Sequence, residues 1–150
     1  MNASPDTHDR TREEIILTIA AGAHGSYDLD PIRLMKGCFL VSQHGREGWK
    51  AAFHFKPYAY GPFDQGVYQA RDALLARGLL HADDHGRYPS YHVSDEGQAE
   101  VERVRNQLGE ADAAWLGRIG AYVTSKSFSK LLEEVYAAFP DFAVRSVVAH

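Results

Sequence analysis

The chain has 150 residues, with 16 Lys and Arg against 20 Asp and Glu, for a formal net charge of -4. A hydrophobic share of 45%, a charged share of 24% and a single cysteine, Cys38, describe one globular core without an internal disulfide framework. The acidity argues against coating nucleic acid by bulk charge, and no apolar run approaches the roughly 20 residues that span a bilayer. Residues 1–12 are polar and lack the apolar stretch of a signal peptide, so a cytoplasmic protein without membrane contact is expected.

Residues 1–11 show no periodicity and read as a frayed terminus. Residues 12–23 form a first helix, with Ile15, Ile16 and Ile19 facing one way and Gly22 and Gly25 ending it. Asp30 followed by Pro31 is a helix start. The second helix runs to about Gln43 and is apolar on most sides, which makes it the central buried helix. Residues 44–49 read as a loop, and alternation of Phe53, Phe55 and Pro57 with His54 and Lys56 predicts a short edge strand.

The stiff stretch from Pro57 to Phe63 then enters a helix over 62–77, on which Phe63, Val67, Ala70 and Leu74 share one face. Residues 79–82 and 88–93 bracket a polar tip and predict a β-hairpin. Ser94 caps the next helix, with Val101, Val104 and Leu108 on its face. Trp115, Ile119 and Tyr122 mark another helix, and Ser127 opens a last one through Phe139, stopped by Pro140.

This order predicts an α+β protein, mainly α: a winged helix over 12–108 with a small three-stranded sheet, its hairpin forming the wing. Residues 109–150 add C-terminal helices that pack on the same core or form a dimer contact. The helix running into Leu79-Leu80, the polar hairpin and Val93-Ser94-Asp95-Glu96-Gly97 resemble the MarR- and PadR-like winged-helix superfamily. Phe55-Lys56-Pro57-Tyr58-Ala59-Tyr60-Gly61-Pro62-Phe63, with Leu34 to Leu40 before it and Leu131 to Tyr136 after it, is similar to the YwgA-like proteins. More distantly it resembles the phage-associated Panacea (SocA-like) antitoxin proteins. Gly37, Cys38 and Phe63 depart from the usual residues of those families.

The superfamily resemblance implies a DNA-binding transcriptional regulator, with helix 62–77 in a major groove. Gln65, Gln69 and Arg71 would read base edges, Tyr68 would touch phosphate, and Arg87 would lie on the wing. Charge is unevenly spread: residues 31–56 carry Arg33, Lys36, Arg46, Lys50 and Lys56 against Glu47 alone, a net of +4. Residues 1–30 and 95–112 each total -4. A DNA face would therefore add Arg33 and Lys36 to that helix, although the same charges also fit an ordinary solvated surface.

Two features count against DNA. Helix 62–77 carries no net charge, and a proline-bounded turn occupies the place of the short helix that precedes a recognition helix. The alternative is a protein-interaction module of the antitoxin or phage-associated type, contacting a toxin or phage factor through Tyr58, Tyr60 and Tyr68. In the rest of that aromatic cluster, Phe53, Phe55 and Phe63 read as core.

Trp115, Tyr122, Tyr136 and Phe139 exceed what two short peripheral helices need for a small core, so a homodimer is expected through them. His81, His85 and His92 cluster near the hairpin. With His85-Gly86 as the turn, His81 pairs with Ser90 and His92 with Leu79, so no metal site is expected. No nucleophile elbow, phosphate loop or dinucleotide fingerprint is present, Cys38 reads as core, and neither an enzyme nor a cofactor is expected.

Overall fold

Asp30 sets the fold's centre by starting the helix that everything else covers. Its carboxylate accepts from the Arg33 backbone N–H at 2.8 Å, and Pro31 supplies the fixed φ of the first turn. The structure, a computed structural model, describes residues 5–84 and 86–143. His85 and the outer parts of the predicted terminal segments, residues 1–4 and 144–150, lie outside the described residues.

In chain order the elements are α1 (Pro5–Ala21), α2 (Pro31–His44), α3 (Glu47–Lys50), β1 (Lys56–Tyr58), β2 (Gly61–Phe63) and α4 (Gln65–Ala76). Then follow β3 (Leu80–Asp83), β4 (Ser90–Val93), α5 (Asp95–Leu108), α6 (Glu110–Val123), α7 (Phe128–Ala138) and a 3-10 turn, Pro140–Ala143. The protein is α+β and mainly helical, with two small antiparallel sheets. Among the described residues no helix is long and apolar enough to cross a membrane.

The core is built on α1 and α2. Ile15, Ile16, Leu17 and Ile19 of α1 are buried, as are Leu34, Met35, Cys38, Phe39 and Val41 of α2. Phe39 is boxed by three rings, Phe55, Phe139 and Phe142, meeting it edge-on at centroid distances of 5.3, 5.0 and 4.8 Å. Helices α1 and α6 cross at backbone contact: a Cβ on Gly120 would lie 2.1 Å from the Ile19 carbonyl, and one on Gly22 would lie 2.2 Å from the Gly117 carbonyl. Gly117 and Gly120 on α6, with Gly22 just past the end of α1, make that approach feasible.

Four expectations need correction. The first helix begins at Pro5 rather than Arg12, so residues 5–11 of the segment read as frayed are helical. Thr11 Oγ1 donates back to the Thr7 carbonyl, and Arg12 pairs with Asp9 and donates to the Ala52 carbonyl. The loop over 44–49 contains α3, which turns Trp49 inward to stack on Trp115 at 5.9 Å.

The single three-stranded sheet is replaced by two hairpins. Lys56–Tyr58 pairs with Gly61–Phe63 instead of joining β3 and β4. Beside the β3–β4 hairpin, among the described residues, the Leu29 carbonyl accepts from the Tyr91 N–H at 2.9 Å. One hydrogen bond does not make a strand.

The register of the β3–β4 hairpin also differs, by two residues: Leu80 faces Val93, His81 faces His92 rather than Ser90, and Asp83 faces Ser90. Strand β3 extends to Asp83, and because the shift is an even number of residues, Leu80 and Tyr91 stay buried on the same face in either pairing.

Candidate functional site

The stretch Tyr58-Ala59-Tyr60-Gly61-Pro62 folds as the tip of the β1–β2 hairpin, laid against the middle of α2. Lys36 holds it there. Its ammonium donates to the Tyr60 carbonyl at 2.7 Å, and the residue is only 3% exposed. Gly61 adopts φ of 104°, and a Cβ there would fall 2.8 Å from Lys36 Cε. The glycine is thus required twice, by conformation and by the lysine stem that passes it.

Burial pushes the Lys36 ammonium down from 10.5 to about 8, against the opposing field of Asp30. Beside this lysine is a cleft of about 250 Å³ walled by Ile32, Met35, Tyr58, Tyr60, Phe63 and Tyr68. Tyr58 and Tyr60 are 52% and 56% exposed on its rim. Tyr68 is half-buried, its hydroxyl 3.4 Å from the Pro31 carbonyl, and burial raises its pKa while nearby Arg71 opposes the rise.

A second cleft, also of about 250 Å³, opens where the loop between β3 and β4 meets the loop before α2. Tyr27 and Tyr88 are exposed there, with Arg33 and Arg87 on its walls. The four exposed large apolar side chains among the described residues are all tyrosines: Tyr27, Tyr58, Tyr60 and Tyr88. They flank the N-terminal half of α2 on two sides. The sequence reading missed Tyr27 and Tyr88, since nothing local marks two tyrosines 61 positions apart as neighbours of one cleft.

The predicted nucleic-acid residues divide. Arg33 is 7% exposed; its guanidinium pairs with Asp30 at 2.6 Å, donates to the Lys126 carbonyl at 3.2 Å and lies over the Tyr27 ring. It joins the loops preceding α2 and α7. Lys36 is buried as described. Arg71 stacks on Tyr68 at 4.4 Å and reaches Asp72 and the Tyr91 hydroxyl, so its charge is engaged within the fold. Gln65, Gln69 and Arg87 are exposed.

The predicted dimer residues are partly consumed inside the protomer. Tyr136 is buried, Phe139 packs on Phe39, Trp115 stacks on Trp49, and the Tyr122 hydroxyl donates to Glu134. Trp115, Tyr122 and Phe139 nevertheless line one groove of about 280 Å³ with Leu40, Ile119 and Val135.

On the β3–β4 hairpin, His81 and His92 are direct cross-strand partners with rings stacked at 5.2 Å, contrary to the expected offset. Asp83 lies 3.7 Å from His81 Nδ1 and 3.2 Å from His92 Nε2. Among the described residues no group of three His, Cys, Asp or Glu side chains is arranged to hold a metal. Cys38 is fully buried, and burial pushes its thiol far above the ordinary range, the opposite of what a nucleophile needs.

Comparison of the chain with protein-family models, curated proteins and solved structures gives no match.

Proposed function

We propose that the protein is a non-enzymatic, cytoplasmic protein-interaction module on a winged-helix-type scaffold, with Tyr58, Tyr60 and Tyr68 at the centre of its contact surface. One observation carries the reading. Lys36, placed by the sequence on a nucleic-acid face, is instead buried holding the hairpin that displays Tyr58 and Tyr60. Tyrosine and arginine are the residues that dominate protein–protein hot spots, because they bring large area at low entropic cost with a polar end. The resemblance to phage-associated antitoxin proteins points to a toxin or phage factor as the partner.

The competing reading, a DNA-binding regulator, rests on the exposed Gln65 and Gln69 of α4 and on Arg87 of the wing. Titration with mixed-sequence duplex DNA at two salt concentrations separates the two. Phosphate contacts make DNA affinity fall steeply as salt rises. The protein-binding reading expects no duplex binding at low salt and a partner captured by the wild type but lost by the Tyr58→Ala/Tyr60→Ala variant. Salt-sensitive duplex binding that Gln69→Ala and Arg87→Ala weaken would reverse the order.

Self-association through the Trp115, Tyr122 and Phe139 groove is part of the proposal. A sedimentation profile that stays monomeric at all concentrations would remove it.

A further inference from the structure

A buried ammonium ordinarily has an anionic partner, since an uncompensated charge in low dielectric is costly. Lys36 has none within the described residues. Its one hydrogen-bond partner is the neutral Tyr60 carbonyl, and Asp30, the carboxylate whose field reaches it, is committed to Arg33. An ammonium carries three donors, so two remain after Tyr60. The lysine borders the 250 Å³ cleft, whose other walls are apolar or aromatic. That volume is below the usual range for whole cofactors or drug-sized ligands, and it suits one large residue.

Resting on the protein-binding reading above, we propose that this cleft captures the C-terminal residue of a partner polypeptide. The terminal carboxylate pairs with Lys36, and a large apolar or aromatic side chain lies against Ile32, Met35, Phe63 and Tyr68. A terminal residue presents charge and apolar body together, which is the combination this cleft offers at a single point. Burial disfavours the ammonium here, and a carboxylate bound beside it would act in the opposite direction and favour the charged form.

The probe is N-acetyl-L-phenylalanine, which has both the ring and the free carboxylate, against its carboxamide, which has the ring alone. Binding to the full chain is followed by amide shifts in 15N–1H spectra. The acid should shift Tyr60, Gly61 and Tyr68 and bind about tenfold or more tightly than the amide, the size expected of one charge-assisted contact. Lys36→Met should abolish that preference. Ile32→Trp, which keeps the lysine and fills the cleft, should abolish binding of both probes in a protein that still folds.

Equal binding of acid and amide, an acid preference that survives in Lys36→Met, or no shift in these residues would overturn the inference. If that happens while Tyr58→Ala/Tyr60→Ala still loses a partner, the cleft proposal falls and the surface reading stands. If the tyrosine variant also captures the partner normally, the surface reading falls with it.

Discussion

The Lys36 ammonium donates to the carbonyl of Tyr60 across 2.7 Å, joining the middle of the buried helix α2 to the tip of the β1–β2 hairpin. The contact makes the display of two tyrosines depend on a core residue, and it leaves no room for a side chain at Gly61. Gly61→Ala should therefore cost about 1–3 kcal/mol, from the strain of a positive φ and from displacement of the lysine stem. Urea unfolding of the variant measures it, and a loss below about 0.5 kcal/mol would show that the hairpin tip adapts freely.

The same lysine makes stability depend on pH in a direction opposite to that of most lysines. Unfolded, it holds its proton up to 10.5; folded, it begins to release it near 8. Between those values the unfolded chain binds more protons, so stability rises with pH, by up to about 3 kcal/mol from this group. Below 8 both states are protonated and the dependence vanishes. Burial of the Cys38 thiol acts the other way in alkaline solution, since only the unfolded thiol ionises there. The quantity to measure is thus the difference in unfolding free energy between wild type and Lys36→Met. It should move in favour of the wild type as pH rises through this window, and a flat difference would contradict the lowered proton affinity.

Arg33 and Arg87 border the same cleft but should respond differently to truncation. Arg33→Ala removes a buried ion pair with Asp30 and a bond to the Lys126 carbonyl, for a loss of about 3 kcal/mol or more. Arg87 is exposed and stacks only loosely, 6.0 Å from the Tyr88 ring, so Arg87→Ala should stay within about 0.5 kcal/mol. Similar losses in the two variants by thermal or urea unfolding would mean that Arg33 is not the structural residue its contacts imply.

Backbone proximity between α1 and α6 gives a further test. Gly120→Ala would set a methyl group 2.1 Å from the Ile19 carbonyl, forcing the helices apart at a cost of about 3 kcal/mol or more. Gly48 in α3 has nothing within 4 Å of an added Cβ, so Gly48→Ala should be neutral or stabilise by up to about 1 kcal/mol. Comparing the two by differential scanning calorimetry separates close approach from helix propensity.

Much of the helical framework was legible locally. Asp30-Pro31, Ser94 and Ser127 each cap a helix where the sequence places one, because capping is decided by a few adjacent residues. The buried character of α2 was readable too, since an apolar surface on nearly every side leaves a helix no solvent face. The hairpin of β1 and β2 was not: Pro57 to Phe63 reads as a stiff turn, and its pairing depends on Lys36, 24 residues away in sequence. The β3–β4 register escaped as well: the expected and observed pairings differ by two residues, so Leu80 and Tyr91 keep the same face in both and the hydrophobic pattern does not choose between them.

The roles of the charged and aromatic residues divide along the same line. By itself the sequence determined the capped helix starts at Asp30, Ser94 and Ser127, that α2 lies at the centre, and that basic residues concentrate over 31–56. Only the tertiary structure decided that Arg33 and Lys36 in that span are buried supports rather than surface cations, and that Tyr27 and Tyr88 border one cleft. A local pattern specifies backbone conformation because its energies act over a few residues. Whether a charge meets water or a carbonyl depends on what the rest of the chain places beside it.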